Sequence, residues 1–404
     1  MSESQTATKI RPLEGVRVLE LSALIAGPSC AKYLADHGAE VIKIERYPMG
    51  DIGRHSFSQP EAKRSPMFVQ HNAGKKGMCI NLKQPDGLAI VKDLVKISDV
   101  FIEAFTPGVI AKLGLGYDDL QQINPRIIMC SLSGFGQSGP NAQRPGYAHI
   151  SHAMSGWLAM QFLHRDPPET PHGPGIAIGD TTAGLTAFGA ICAALYKRER
   201  TGAGDHIDIA LFDALFGSND MALQSCLLTN TVAVWYHPVH KTRDGYLTAN
   251  IGPDFRAWEN VCKAMDRTDL LDDPRFNTQQ AVRDNLQAAT EMVQAWLAEH
   301  TAAEAEQIFT AHHIACGIVH TVDQAVRQPQ VKARHLTTEV DDPILGRIEV
   351  INSAFRYANA ASGVQGPAPM LGQHNADVLQ TVLGYTPEQI RTLQASGVLR
   401  QEAI

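Results

Sequence analysis

The chain has no run of 18 apolar residues, no CxxC pair and no excess of positive charge, and each absence removes a class of protein. A membrane-spanning helix needs about 20 predominantly apolar residues, so no membrane partner is expected. The seven cysteines, at positions 30, 79, 130, 192, 226, 262 and 316, are odd in number and scattered. That suits reduced thiols serving as small core residues in a cytoplasmic protein, not a disulfide framework. With 35 Lys and Arg against 42 Asp and Glu the net charge is −7, which argues against a nucleic-acid partner. An anionic ligand must therefore meet a local basic strip. Residues 1–9 are polar and lack the apolar core of a leader peptide. His149 and His152, or His237 and His240, are closely spaced, but no third ligand and no HExxH accompany them, so no metal is expected.

What is present is α/β in character. A length of 404 residues exceeds what one core usually organises, so two lobes are expected. Residues 16–21 read as a strand, 28–37 as a helix and 40–45 as the next strand. The alternation continues with a helix over 85–98, strands over 99–103 and 126–132, a further strand over 206–211 and a helical stretch over 213–228. Such alternation implies a largely parallel sheet covered by helices. No GxGxxG follows the first strand; the turn is Ser22-Ala23-Leu24-Ile25-Ala26-Gly27-Pro28, which disfavours a dinucleotide redox site. From Asp244 the character changes. A strand over 246–250, helices over 255–265, 285–300 and 302–312, and a strand over 317–320 read as a smaller, helix-rich α+β domain. Strand-like residues 346–350 and the polar stretch 361–369 are expected to return to the large lobe.

Asp180 is the residue most suited to chemistry. It stands in Gly179-Asp180-Thr181-Thr182-Ala183-Gly184 at the head of a helical pattern over 181–198. An N-cap carboxylate satisfies free backbone N–H groups, and the positive helix end should hold its pKa below about 3.9. The same ionised carboxylate is able to attack a thioester, and glycines 179 and 184 let backbone or ligand come close.

Taken in order, several segments resemble the family III CoA-transferases, the group of formyl-CoA transferase, carnitine CoA-transferase and α-methylacyl-CoA racemase. They include Leu13-Glu14-Gly15-Val16-Arg17-Val18-Leu19-Glu20, Ala26-Gly27-Pro28, Gly38-Ala39-Glu40-Val41-Ile42-Lys43-Ile44-Glu45 and Leu82-Lys83-Gln84-Pro85-Asp86-Gly87. Others are Leu113-Gly114-Leu115-Gly116-Tyr117, Asn124-Pro125-Arg126, Ser133-Gly134-Phe135-Gly136, Arg144-Pro145-Gly146-Tyr147, the Asp180 segment, Thr201-Gly202-Ala203-Gly204 and Leu371-Gly372-Gln373-His374. The resemblance covers nearly the whole chain.

It implies an interlocked homodimer in which each chain has a Rossmann-like large domain and a smaller α+β domain. Placed on this chain, the large domain spans residues 1–228, the small domain with its linkers 229–335, and a segment returning to the large domain 336–404. It implies that Asp180 attacks an acyl-CoA thioester to give an anhydride, then an aspartyl-CoA thioester, from which a carboxylic acid takes the CoA. A mixed anhydride keeps roughly the activation of a thioester, so the exchange stays reversible. Succinyl-CoA is a common donor in the family. Coenzyme A is then a substrate, and no tightly bound cofactor is implied.

The resemblance also implies basic residues around the nucleotide: Arg46, Lys83 and Lys112, with Arg54, Lys75 and Lys76 as weaker candidates. Leu24, Ile25, Ala26, Ile80, Ala104, Phe105, Leu113, Arg144 and Tyr147 complete the expected substrate and CoA contacts, and backbone N–H groups around Ile25-Ala26 and in the glycine-bearing segments are the candidate oxyanion donors. The chain departs from formyl-CoA transferase at apolar Ile25 and at Ala104, where that enzyme has glutamine and asparagine, so transfer to oxalate is put in doubt. It also lacks that enzyme's long glycine-rich lid; Trp235, Tyr236, His237 and His240 are candidates for excluding water. The racemase branch uses a histidine followed by aspartate where this chain has Tyr147-Ala148, and tyrosine, with a pKa near 10, is a poor base. An epimerase and a non-catalytic CoA-binding subunit are the alternatives, and the retained Asp180 disfavours the second. The role of His374 stays open at this point.

Overall fold

The structure, a computed structural model, describes residues 9–56, 64–161, 173–233, 238–251 and 255–402. It divides into two compact units, Met1–Val232 with Arg334–Ile404, and Ala233–Ala333.

The first unit is built on six parallel strands: β1 (Arg17–Leu21), β2 (Glu40–Arg46), β3 (Lys76–Ile80), β4 (Val100–Glu103), β5 (Ile128–Ser133) and β6 (Asp205–Ala210). Their order, β3-β2-β1-β4-β5-β6, is the doubly wound order, in which the chain starts in the middle and winds outwards on both sides. The inner strands are buried on both faces, as the near-continuous apolar runs require. Successive side chains point to opposite faces. Leu19, Leu21, Ile42, Ile44, Met78 and Phe101 pack beneath the helix Pro85–Lys96 and the C-terminal helices. Val18, Val41, Val100, Ile102 and Ile128 pack against the helices Ala26–Asp36 and Ile178–Thr201. The latter helix is long and apolar enough by composition to cross a membrane, with mean hydropathy 1.3, but Ala183, Ala187, Phe188 and Ile191 sit in this core.

Two departures from the sequence reading bear on the first unit's core. The helical stretch expected over 213–228 is two helices, Leu211–Gly217 and Asp220–Thr229, because buried Asn219 turns out of the first to donate to Ser155 O at 2.6 Å. Strand β3 was not foreseen. It is short, contains Gly77, and owes its strand state to its neighbours: β2 on one side and the C-terminal segment on the other, where Ile80 bridges Leu399. His374 finds its role here, since Nδ1 accepts the Gly77 N–H at 3.0 Å and its own N–H donates to Gly77 O at 2.9 Å. It stitches the C-terminal segment to β3.

The second unit has a three-stranded antiparallel sheet, β7 (Val239–Lys241), β8 (Tyr246–Ala249) and β9 (Cys316–Ile318). Helices Phe255–Ala264, Leu286–Ala298 and Ala302–Ala311 cover it around Trp258, Phe276 and Phe309. After it, β10 (Thr337–Asp342) and β11 (Gly346–Ile351) form a hairpin within the first unit.

Candidate active site

Asp180 is the third residue of the helix Ile178–Thr201, one turn further in than expected. The N-cap is Ala177, whose side chain has nothing to donate or accept, so the helix start is capped from elsewhere. The Gly179 N–H donates to His152 Nε2 at 3.1 Å. His152, on the helix Ala148–Met154, is 2 % exposed and stacks at a tilt on Trp157. Accepting at Nε2 makes it a neutral ring protonated at Nδ1. Burial, with His149 nearby, pushes its pKa down and favours that form. The residue that caps the Asp180 helix thus lies 27 positions before Gly179, and nothing in its local sequence marks it.

The expected lowering of the Asp180 pKa is overturned. Burial raises it from 3.8 to about 6, against a smaller downward pull from its own backbone N–H. Desolvation of the carboxylate outweighs the helix end. Such a group is still about 90 % ionised one unit above its pKa and is a stronger nucleophile than a carboxylate titrating near 4.

The Asp180 helix lies against the helix Ala26–Asp36, and Gly184 makes the crossing possible. A Cβ there would stand 2.8 Å from Ser29 Cβ and 2.9 Å from Ala26 O. Gly179 is less constrained, with nearest neighbours at 3.5 Å. The first N–H groups of the Ala26–Asp36 helix have no intrahelical acceptor, and Ile25 as N-cap offers no side-chain bond.

Asp180 opens into a cavity of about 210 Å³ at the carboxyl ends of β1, β4 and β5. Its walls include Leu24, Ala26, Ala104, Phe105, Arg144 and Tyr147, all expected, together with Thr106 and Ser133, which were not. The chain turns in opposite directions after β1 and β4, and a doubly wound sheet presents its ligand crevice at such a switch point. A second cavity of about 440 Å³ lies over β1, β2 and β3, lined by Arg46, Ile80, Lys83, Leu113 and again Phe105. Phe105 is therefore a wall of both. It is held by Glu103, 1 % exposed, whose Oε2 accepts the Phe105 N–H at 2.8 Å.

Two expected residues fall outside both linings: Ile25, the N-cap, and Lys112, which ends the short helix Val109–Lys112 one residue before Leu113. Of the weaker candidates, Arg54 is committed to Glu45 in a fork at 2.7 and 2.6 Å, and Lys75 is buried against Glu20 at 2.7 Å. Lys76 pairs with Glu40 and Asp377, both at 3.0 Å. Arg46 and Lys83 make no ion pair among the described residues, which leaves their charges available. His149 stacks on exposed Tyr147 and does not line the Asp180 cavity. Residues 235–237 lie outside the described residues; His240 is buried in β7. The buried thiols Cys30, Cys79 and Cys130 are pushed up by desolvation, Cys79 to about 12, which suits core residues.

A doubly wound parallel sheet with a partly desolvated carboxylate in its switch-point cleft defines an α/β enzyme equipped for carboxylate chemistry. Its relatives narrow this to one family. The model for CoA-transferase family III matches residues 13–375. The chain is 36 % identical to succinyl-CoA:glutarate CoA-transferase of Mus musculus, over 97 % of this chain and 91 % of that one. It is 33 % identical to succinyl-CoA–D-citramalate CoA-transferase of Chloroflexus aurantiacus, over 96 % and 98 %. A CAIB/BAIF family protein from Brucella suis superposes with a TM-score of 0.81 at 30 % identity, covering 92 % of this chain and 99 % of that one. The chain belongs to CoA-transferase family III, enzymes that transfer CoA between carboxylic acids.

Proposed function

We propose that this enzyme takes CoA from succinyl-CoA and passes it to a second small carboxylic acid, with Asp180 as the covalent nucleophile. The observation that carries the proposal is a carboxylate with a pKa of about 6 in the lining of a cleft that is also lined by Ala26, the first residue of the Ala26–Asp36 helix. The Asp180 carboxylate attacks the thioester carbonyl; the C–S bond breaks, giving a mixed anhydride and CoA thiolate. The thiolate attacks the Asp180 carbonyl, releasing succinate and leaving an aspartyl-CoA thioester. The acceptor carboxylate attacks that thioester to form a second anhydride, and the thiolate then takes the acyl group and frees Asp180. Each tetrahedral oxyanion needs donors, and Ala26 N–H is the candidate on this wall.

The second cavity suits the nucleotide end of CoA, with Arg46 and Lys83 for its phosphates and Ile80, Leu113 and Phe105 for apolar contact. Both relatives named above carry succinyl-CoA in their names, which supports that donor. Ala104 and apolar Ile25, where formyl-CoA transferase has asparagine and glutamine, support an acceptor other than oxalate. Exposed Leu227, Leu228 and Ile176 on the first unit support self-association, for which the interlocked homodimer is the proposed form. The cytoplasm is the proposed location.

Intact-protein mass spectrometry after incubation with succinyl-CoA, with and without hydroxylamine and beside Asp180→Asn, tests this. A succinyl or CoA adduct on the native chain, absent from the variant, is expected. Exchange of an acyl-CoA α-proton with solvent deuterium, with no adduct formed, would point to an epimerase.

A further inference from the structure

Beneath the turn that follows β1 lies a chain of four buried charges. Glu20 and Lys43 are 0 % exposed, and Asp51 and Lys75 are 3 % exposed. Lys43 Nζ lies 2.9 Å from Glu20 Oε1 and 2.9 Å from Asp51 Oδ2, the latter an ion pair rather than an aligned hydrogen bond. Lys75 Nζ lies 2.7 Å from Glu20 Oε2. Two acids and two bases balance. Burial pushes the Glu20 carboxyl up, yet Lys43 and Lys75 prevail and hold it at about 2; burial and Lys43 push Lys75 down to about 8.

A buried ion pair is a poor device for stability alone, because apolar side chains of similar volume serve as well or better. Apolar side chains cannot, however, bond to backbone, and this quartet does so at three points: two in the turn after β1 and one in the first turn of the helix that follows. Lys43 donates to Ser22 O at 2.8 Å, Asp51 Oδ1 accepts the Leu24 N–H at 3.1 Å, and Lys75 donates to Pro28 O at 3.0 Å. Between those points Leu24 has φ +67°. That left-handed conformation is disfavoured roughly tenfold for a residue with a bulky side chain unless its surroundings impose it. Asp51 is itself fixed: its N–H donates to Glu45 Oε2 at 3.0 Å and its Oδ1 also accepts the Gly53 N–H at 2.8 Å. The turn it grips supplies Ala23, Leu24 and Ala26 to the Asp180 cavity.

We propose that Asp51 is a positioning residue of the transfer site: it locks Leu24 in the left-handed conformation and so aims the N–H groups at the start of the Ala26–Asp36 helix into the Asp180 cleft. This rests on the reading that Asp180 accepts the acyl group there. The chemistry affected is formation of the tetrahedral intermediate, since the donors serve the oxyanion and not the ground-state carbonyl.

Single-turnover adduct formation with succinyl-CoA, quenched and read by mass, gives a rate constant and an amplitude separately. Lys43→Met with Asp51→Leu replaces the outer pair by apolar groups and leaves Glu20 balanced by Lys75, so the fold is retained. In this double variant the rate constant at saturating succinyl-CoA should fall by about tenfold or more, while half-saturation moves by less than about threefold. Lys43→Met with Asp51→Asn keeps an Oδ1 acceptor for Leu24 without leaving a buried charge unpaired, and should restore most of the rate. An Asp51→Leu double variant as fast as the native enzyme overturns the proposal. So does a loss confined to the amplitude, which would mean fewer folded molecules, or an equal loss with Lys43→Met and Asp51→Asn. If the native enzyme itself forms no Asp180 adduct, the reading beneath the proposal falls and takes it along.

Discussion

Replacing Asp180 by Asn should make the protein more stable while abolishing transfer. Folding raises the carboxyl from 3.8 to about 6. The folded chain therefore binds this proton more tightly than the unfolded one, and ionisation works against the fold. The associated stability is fully present below about pH 3.8 and is lost as pH rises to about 6. About two units at 1.36 kcal/mol each give about 3 kcal/mol at pH 7.5. Because the group still faces the cleft, solvent screening brings the expected gain to about 1–3 kcal/mol. Asparagine keeps the shape and removes the charge. Urea unfolding of both proteins at pH 7.5 and pH 5 is the assay, and the pH dependence is its sharper part. By pH 5 the native carboxyl is mostly protonated, and the advantage of Asn should shrink by about half. An advantage that is absent at pH 7.5, or equal at both pH values, would refute the claim that burial holds this carboxylate up. The same titration sets the acid limb of catalysis, with adduct formation falling about tenfold per pH unit below about 6.

Gly184→Ala places a Cβ against Ser29 and the Ala26 carbonyl, neither of which yields easily, so unfolding should show a loss of about 1–3 kcal/mol and single-turnover acylation should slow. His152→Ala leaves the Gly179 N–H without its acceptor, at a cost of about 1–3 kcal/mol; His152→Gln keeps an acceptor near the Nε2 position and should recover most of the acylation rate. Equal rates for the two would remove His152 from the positioning of Asp180. Joint Arg46→Ala and Lys83→Ala should raise KM for the acyl-CoA by about tenfold or more with little change in kcat, and should flatten the dependence of KM on salt. An unchanged KM would place the phosphates elsewhere.

The helix–strand alternation was legible because it rests on local apolar patterning, and the strands over 16–21, 40–45 and 99–103 fall where the pattern put them, to within a residue. Asp180 and most of the cavity walls were legible through motif segments, which fix residues in order along the chain. What failed did so for identifiable reasons. Strand β3 carries little signal of its own, since its partners are β2 and the chain's last residues. The helix head was misplaced by one turn because a local cap was sought where His152, from another helix, provides the acceptor. Lys75 and Arg54 read as available cations only because the burial of their carboxylate partners, Glu20 in β1 and Glu45 in β2, is not written in the local sequence.

By itself, then, the sequence determined the family and the parallel α/β plan and singled out the candidate carboxylate, all through residue type and order. Tertiary structure alone decided the direction of the Asp180 pKa, the Asp51 grip on Leu24 and the place of Phe105 between two cavities. Desolvation and long-range hydrogen bonding are created by packing, and no local pattern along the chain records which buried group will meet which.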